Sequence, residues 1–148
     1  MAETKSFVKI LHVREREKMN AQKAYRQSKD FFEEIATKFF HLLKTKEKAE
    51  ASYDELIQHS TTLEKVKTQA AYIENLNSQI VRLQHEVDQA RNEMDSMQAM
   101  LTDAHVEVKK FQHIIDSRNN AEAEKEKQLE RNRMDAISLK QYISYKNR

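Results

Sequence analysis

HSTTLEKV, His59 to Val66, is the stretch where the regular apolar pattern of this 148-residue chain falters. The chain holds no glycine and no proline. Neither of the usual turn residues therefore marks the place. Either one helix runs through the stretch, or the chain reverses there.

The flanking patterns bear on the choice. Upstream, one apolar row reads Leu11, Lys18, Tyr25, Phe32, Phe39, Lys46, Tyr53. A second row reads Phe7, Arg14, Ala21, Ser28, Ile35, Leu42, Ala49, Leu56. Spacings alternate between three and four, so both rows lie on one helical stripe. Arg14 and Lys18 interrupt it, and their long stems are expected to cover apolar surface while their charges stay wet. Downstream, one row runs Val66, Ile73, Ile80, Val87, Met94, Leu101, Val108, Ile115, and its partner Gln69, Leu76, Leu83, Ala90, Met97, Ala104, Phe111. Heptads sustained this far predict a coiled coil with a left-handed supercoil.

The two grids do not join. Continued past Leu56, the first needs apolar residues at 60, 63, 67 and 70, where Ser60, Leu63, Lys67 and Ala70 stand. The second starts instead at 66 and 69. A stutter in one long helix produces such a shift, and so does a reversal. Thr61 with Glu64 three residues on reads as a capping box, with Thr62 as an alternative cap. Ser60, Thr61 and Thr62 also compete with the helical backbone for hydrogen bonds. A reversal near residue 60 sets residue i opposite roughly 121 − i. Ile115 then meets Ser6–Phe7, and the apolar stretch Phe31–Leu43 meets Ile80, Leu83, Val87 and Ala90. The second grid decays at Asp116–Asn120, opposite the point where the first begins.

The expected architecture is all-α: an antiparallel two-helix coiled-coil hairpin with a C-terminal helical overhang. Residues 1–148 form one coiled-coil domain, with a first helix over about 4–58, a turn over 59–62, a second helix over 63–118 and an overhanging tail over 119–148. Such a hairpin is expected to be monomeric. A homodimer of continuous helices is the competing architecture.

Composition excludes much else. Charged residues make up 34% and hydrophobic residues 39%, the balance of long helices and coiled coils. Lys and Arg number 26 and Asp and Glu 24, closely mixed, for a net charge of +2. That is a solvated helix face, not a nucleic-acid polycation. With no cysteine there is no disulfide framework and no thiolate metal site. The N-terminus lacks the apolar core of a secretory leader. No segment reaches the roughly 20 apolar residues that span a bilayer. The chain is expected to be soluble, or at most peripheral to a membrane. Without glycine there is no phosphate-binding loop. The histidines at 12, 41, 59, 85, 105 and 113 show no HExxH pairing. A two-helix hairpin has no cleft to desolvate carboxylates. No catalysis, cofactor, metal or small-molecule substrate is expected, and function should rest on surface and shape.

Three surfaces rise above the charged background. Phe31, Phe40, Leu43 and Ile57 flank the first seam, and Tyr72, Val81, Met100 and Ile114 the second. They either broaden the buried stripe or form a partner-binding face. Arg14, Arg16 and Lys18, with Arg131, Arg133 and Lys140, make a basic cluster that is either solvated charge or a surface suited to acidic loops of a partner. The tail from Leu129 to Tyr145 carries a looser amphipathic patch. Its polar face is not basic enough for a membrane surface, which favours a protein partner.

Three stretches carry a likeness: Phe7–Lys18 (Phe-x-x-Ile-Leu-x-x-Arg-Glu-x-Glu-Lys), Tyr72–Ile80 with Val106–Phe111, and Arg133-Met-Asp-Ala-Ile-Ser-Leu-Lys-Gln-Tyr142. Over essentially the whole chain the sequence resembles the FliJ family, small cytoplasmic coiled-coil proteins of the bacterial flagellar type III export apparatus. The resemblance implies a non-enzymatic hairpin similar to the central stalk of rotary ATPases. Such a stalk binds the hexameric export ATPase, promotes its assembly, links it to the membrane export gate and engages export chaperones. It would sit in the cytoplasm at the inner face of the inner membrane. Leu42, Tyr72 and Leu76 match the family's gate-contacting segment, while Thr45 and Ala49 depart from its aromatics. By the stalk analogy, Arg14, Arg16, Lys18, Arg131, Arg133, Met134, Ile137 and Tyr142 would face the ATPase ring. A rotary-ATPase stalk subunit proper is the neighbouring alternative; such subunits usually carry a globular insertion where this chain has a short turn.

Overall fold

The computed structural model describes residues 2–147. Two helices hold nearly all of them, α1 (Ala2–Gln58) and α2 (Leu63–Lys146). They pack antiparallel, and no strand occurs among the described residues. The break between them falls at His59–Thr62, within the quoted stretch.

The turn is built without any left-handed residue. α1 ends on a last helical bond, from the His59 N–H to the Glu55 carbonyl at 3.1 Å. Thr62 opens α2: its hydroxyl oxygen accepts from the Lys65 N–H at 3.4 Å and its carbonyl from the Val66 N–H at 3.4 Å. The cap is therefore Thr62, not Thr61. Glu64 then falls at the second helical position, where its charge meets the positive end of the helix dipole, and the Thr61–Glu64 capping box is not formed. Because Ser60 and Thr61 lie outside both helices, replacing both with glycine should lower stability by no more than about 1 kcal/mol in urea denaturation. The same pair inside a helix costs roughly 2 kcal/mol.

The chain divides into two compact units, one of Met19–Asp103, the other of the chain up to Lys18 with the chain from Ala104 onward. In the Met19–Asp103 unit, Ile35, Val87 and Ala90 form a buried cluster with Phe32, Phe39 and Leu83 packed on it. The Arg91 guanidinium lies 5.5 Å from the Phe32 ring centre. Nearer the turn, the Gln69 side-chain amide donates to the Ala49 carbonyl at 3.1 Å.

In the other unit Val108 and Ile115 are buried. Phe7 and Phe111 rest against each other with ring centres 6.2 Å apart. Ion pairs tie Arg14 to Glu107 at 4.0 Å and Arg118 to Glu3 at 2.8 Å. Both satisfy the 121 − i pairing. Arg14 does more than cover apolar surface: its guanidinium lies 5.9 Å from the Phe111 ring centre and also pairs with Glu17. Its charge is held by partners and not simply left in water.

Every position of both heptad grids is buried or half-buried. The flanking residues are not. Phe31, Phe40, Leu43, Ile57, Tyr72, Val81 and Met100 are all exposed, and of that group only Ile114 is half-buried. These residues do not broaden the stripe, because in a two-helix pair each helix has one neighbour and its flanks face solvent. The decay of apolar character after Ile115 does not end the helix either. α2 continues unbroken through 119–146, the stretch expected to be the tail.

Candidate partner-binding surfaces

Leu42, Tyr72 and Leu76 sit in the Met19–Asp103 unit, in the half nearest the turn. The Gln69–Ala49 hydrogen bond sets the local register. One heptad along each helix in opposite directions leads from Gln69 to Leu76 and from Ala49 to Leu42, so the two leucines share a layer of the seam. Leu76 is 4% exposed and Leu42 half-buried. Tyr72, one turn before Leu76, is 46% exposed. Of the three, the tyrosine offers the most surface to a partner; the leucines hold the helices together beneath it. Phe31, 50% exposed, stands between two shallow grooves of about 390 and 240 Å³ in the same unit. Among the described residues no three His, Asp or Glu side chains converge as a metal site would require.

The basic residues do not form one cluster. Arg14 lies opposite Glu107. Arg131 is 24 residues further along α2, about 36 Å at about 1.5 Å per residue. Arg14 and Lys18 are half-buried in the seam, whereas Arg16, Arg131, Arg133 and Lys140 are exposed. The tail is the larger surface. Leu129, Met134, Ile137, Leu139, Tyr142, Ile143 and Tyr145 are all exposed on α2, with Tyr145 at 82%. No α1 residue faces them, since the 121 − i pairing brings Ala2 opposite residue 119.

The family model for the flagellar FliJ protein matches residues 4–147. This chain belongs to the FliJ family. A curated FliJ-family relative, the flagellar FliJ protein of Bacillus subtilis (strain 168), is 30% identical over 137 residues, covering 93% of each chain. No solved structure matches significantly. Membership assigns the chain to flagellum biogenesis and protein export.

In this FliJ-family chain, sequence reasoning missed the polar lock where α1 begins. Arg118 pairs with Glu3 and stacks 4.7 Å from the Phe7 ring centre. The signal was available: Arg118 lies seven residues after Phe111, so it continues the seam in polar form. The hydrogen bond from Arg118, then its charge, hold the Glu3 carboxyl below the usual carboxylate range. A lowered folded-state pKa means the lock is fully present above the ordinary glutamate pKa of about 4.3 and is lost as pH falls through the folded value. Lowering the pH through the folded-state pKa of Glu3 should therefore reduce the amide-exchange protection factors over residues 3–10, and Glu3→Gln should remove that pH dependence. Salt at about 1 M should act in the same direction by screening an exposed pair.

Proposed function

We propose that the chain is a non-catalytic, stalk-like component of the flagellar export apparatus. It binds the hexameric export ATPase, promotes its assembly and turnover, and connects it to the membrane export gate and to export chaperones. The observation that carries this reading is the α2 tail: a continuous helix with seven large exposed apolar side chains and, among the described residues, no helix facing them. A helix in that condition needs a protein surface to bury its apolar residues. Met134, Ile137 and Tyr142 supply the apolar contacts for the ATPase ring, and Arg131 and Arg133 the charges. Arg16 adds an exposed charge, while Arg14 and Lys18 act mainly by holding the seam. Tyr72, supported by Leu42 and Leu76, forms the gate-facing surface. No helix among the described residues is long and apolar enough to cross a membrane. Attachment to the inner membrane would therefore run through the gate protein.

The test is ATPase assembly and turnover with a stoichiometric amount of the full chain. Stimulation is expected, and the triple variant Met134→Ala, Ile137→Ala, Tyr142→Ala should lose at least tenfold in apparent affinity for the ATPase. Its helix content should hold, because none of the three is buried. A chain that leaves assembly and turnover unchanged overturns the reading.

A further inference from the structure

One spacing occurs on both helices where α1 begins. Glu3, Phe7 and Arg14 on α1 stand at i, i+4 and i+11, and so do Glu107, Phe111 and Arg118 on α2. Laid antiparallel, each triplet meets the other in the same way. Arg118 pairs with Glu3 at 2.8 Å and lies 4.7 Å from the Phe7 ring centre. Arg14 pairs with Glu107 at 4.0 Å and lies 5.9 Å from the Phe111 ring centre. The two rings meet between these clamps. Exchanging one triplet for the other leaves every contact in place. The arm of α1, residues 2–18, is thus held by a two-fold pattern local to this unit.

The arm is also held lightly. None of residues 2–18 is buried; its seam positions Thr4, Phe7, Leu11, Arg14 and Lys18 are half-buried, and three of them are polar. Arg14 Nε is enclosed yet makes no hydrogen bond, so closing the arm leaves a donor unmatched. The Arg118–Glu3 pair is exposed and weakened by salt. An isolated helix as short as the arm is marginal in water, so an arm that leaves α2 melts. α2 does not need the arm to stay helical: it continues unbroken through 119–146, where no α1 residue faces it.

We propose that the arm is an exchangeable latch. It opens from α2 as one unit while Met19–Asp103 keeps its packing. The face it uncovers, Val108, Phe111 and Ile115 with Glu107 and Arg118, then takes a partner helix that carries glutamate, phenylalanine and arginine at the arm's own spacing. In the closed chain the tethered arm competes at an effective concentration on the order of millimolar. A partner helix therefore binds in proportion to the open fraction.

The probe is a fluorescent synthetic peptide of residues 2–18, offered to the full chain. Arg14→Glu in the chain sets like charges at Glu107 and opens the arm, while the peptide keeps its arginine. Fluorescence anisotropy should show the peptide binding this variant about tenfold more tightly than the unaltered chain. Adding Phe111→Ala should abolish that binding. Adding Glu107→Arg instead should re-pair the chain's own arm, repel the peptide and return binding to the unaltered level. Native-state amide exchange of the unaltered chain should show residues 7–16 sharing one opening, with protection factors about tenfold or more below those of residues 30–40. Arg14→Glu should lower protection over 7–16 and leave 30–40 unchanged. Arm amides that exchange only with the whole hairpin, loss of protection at 30–40 in Arg14→Glu, a peptide that does not bind that variant, or binding indifferent to Phe111→Ala or to the charge swap would each overturn the proposal. ATPase stimulation rests on the tail and is measured with the ATPase present, so neither result decides the other.

Discussion

Ala90→Asp should unfold the packing of the Met19–Asp103 unit, at a cost of about 3 to 5 kcal/mol. Ala90 is 2% exposed and lies in the cluster with Ile35 and Val87. An aspartate there has a stem too short to carry its carboxylate out to water. Among the described residues no buried polar or charged side chain stands ready to receive it. Folding must then desolvate the charge or separate the helices. A hairpin with so few fully buried residues has little stability in reserve. The urea midpoint of the helical signal should fall sharply. Gln89→Asp, one residue away on an exposed position, should change it by no more than about 0.7 kcal/mol, the difference in helix propensity. Equal effects at 89 and 90 would mean that the seam does not bury position 90.

The second expected result separates folding from recognition at the gate-facing surface. Leu76→Ala should cost about 2 to 3 kcal/mol, because it removes a buried side chain from the layer shared with Leu42. Tyr72→Ala should leave stability within about 0.5 kcal/mol, because the ring is nearly half exposed. Binding to the purified export-gate protein should show the opposite order of directness. Tyr72→Ala should lose affinity at full helix content, whereas Leu76→Ala should lose it only in step with stability and recover it at low temperature. If Tyr72→Ala binds the gate normally, this surface is not the gate site.

The hairpin was legible because a heptad pattern is a local code. Which residues share a helical face follows from spacing alone, and both grids predicted the buried face at every position. The turn was legible from what failed to match: two registers that do not join, beside hydroxyl residues able to cap a new helix. The choice between Thr61 and Thr62 was not. Both carry the same chemistry one residue apart, and spacing does not choose between them; the hydrogen bonds of Thr62 do.

The candidate surfaces were less legible. Phe31, Phe40 and Val81 are apolar, and apolar character alone does not distinguish a broadened core from an exposed face. Arg14 and Arg131 looked like one basic group because both belong to the same end of the fold, yet the pairing of Arg14 with Glu107 separates them by about 36 Å along α2.

Composition and periodicity by themselves determined that this protein is helical, that it doubles back near residue 60, and which stripe of each helix is covered. Those properties depend on contacts three and four residues apart. Only the tertiary structure decided that Tyr72 and most of the other flanking residues are surface and not a broadened stripe, that Arg14 and Arg118 act as cross-helix clamps, and that Thr62, not Thr61, caps α2. Those properties depend on what the other helix places opposite each residue, and spacing along a single helix does not contain that information.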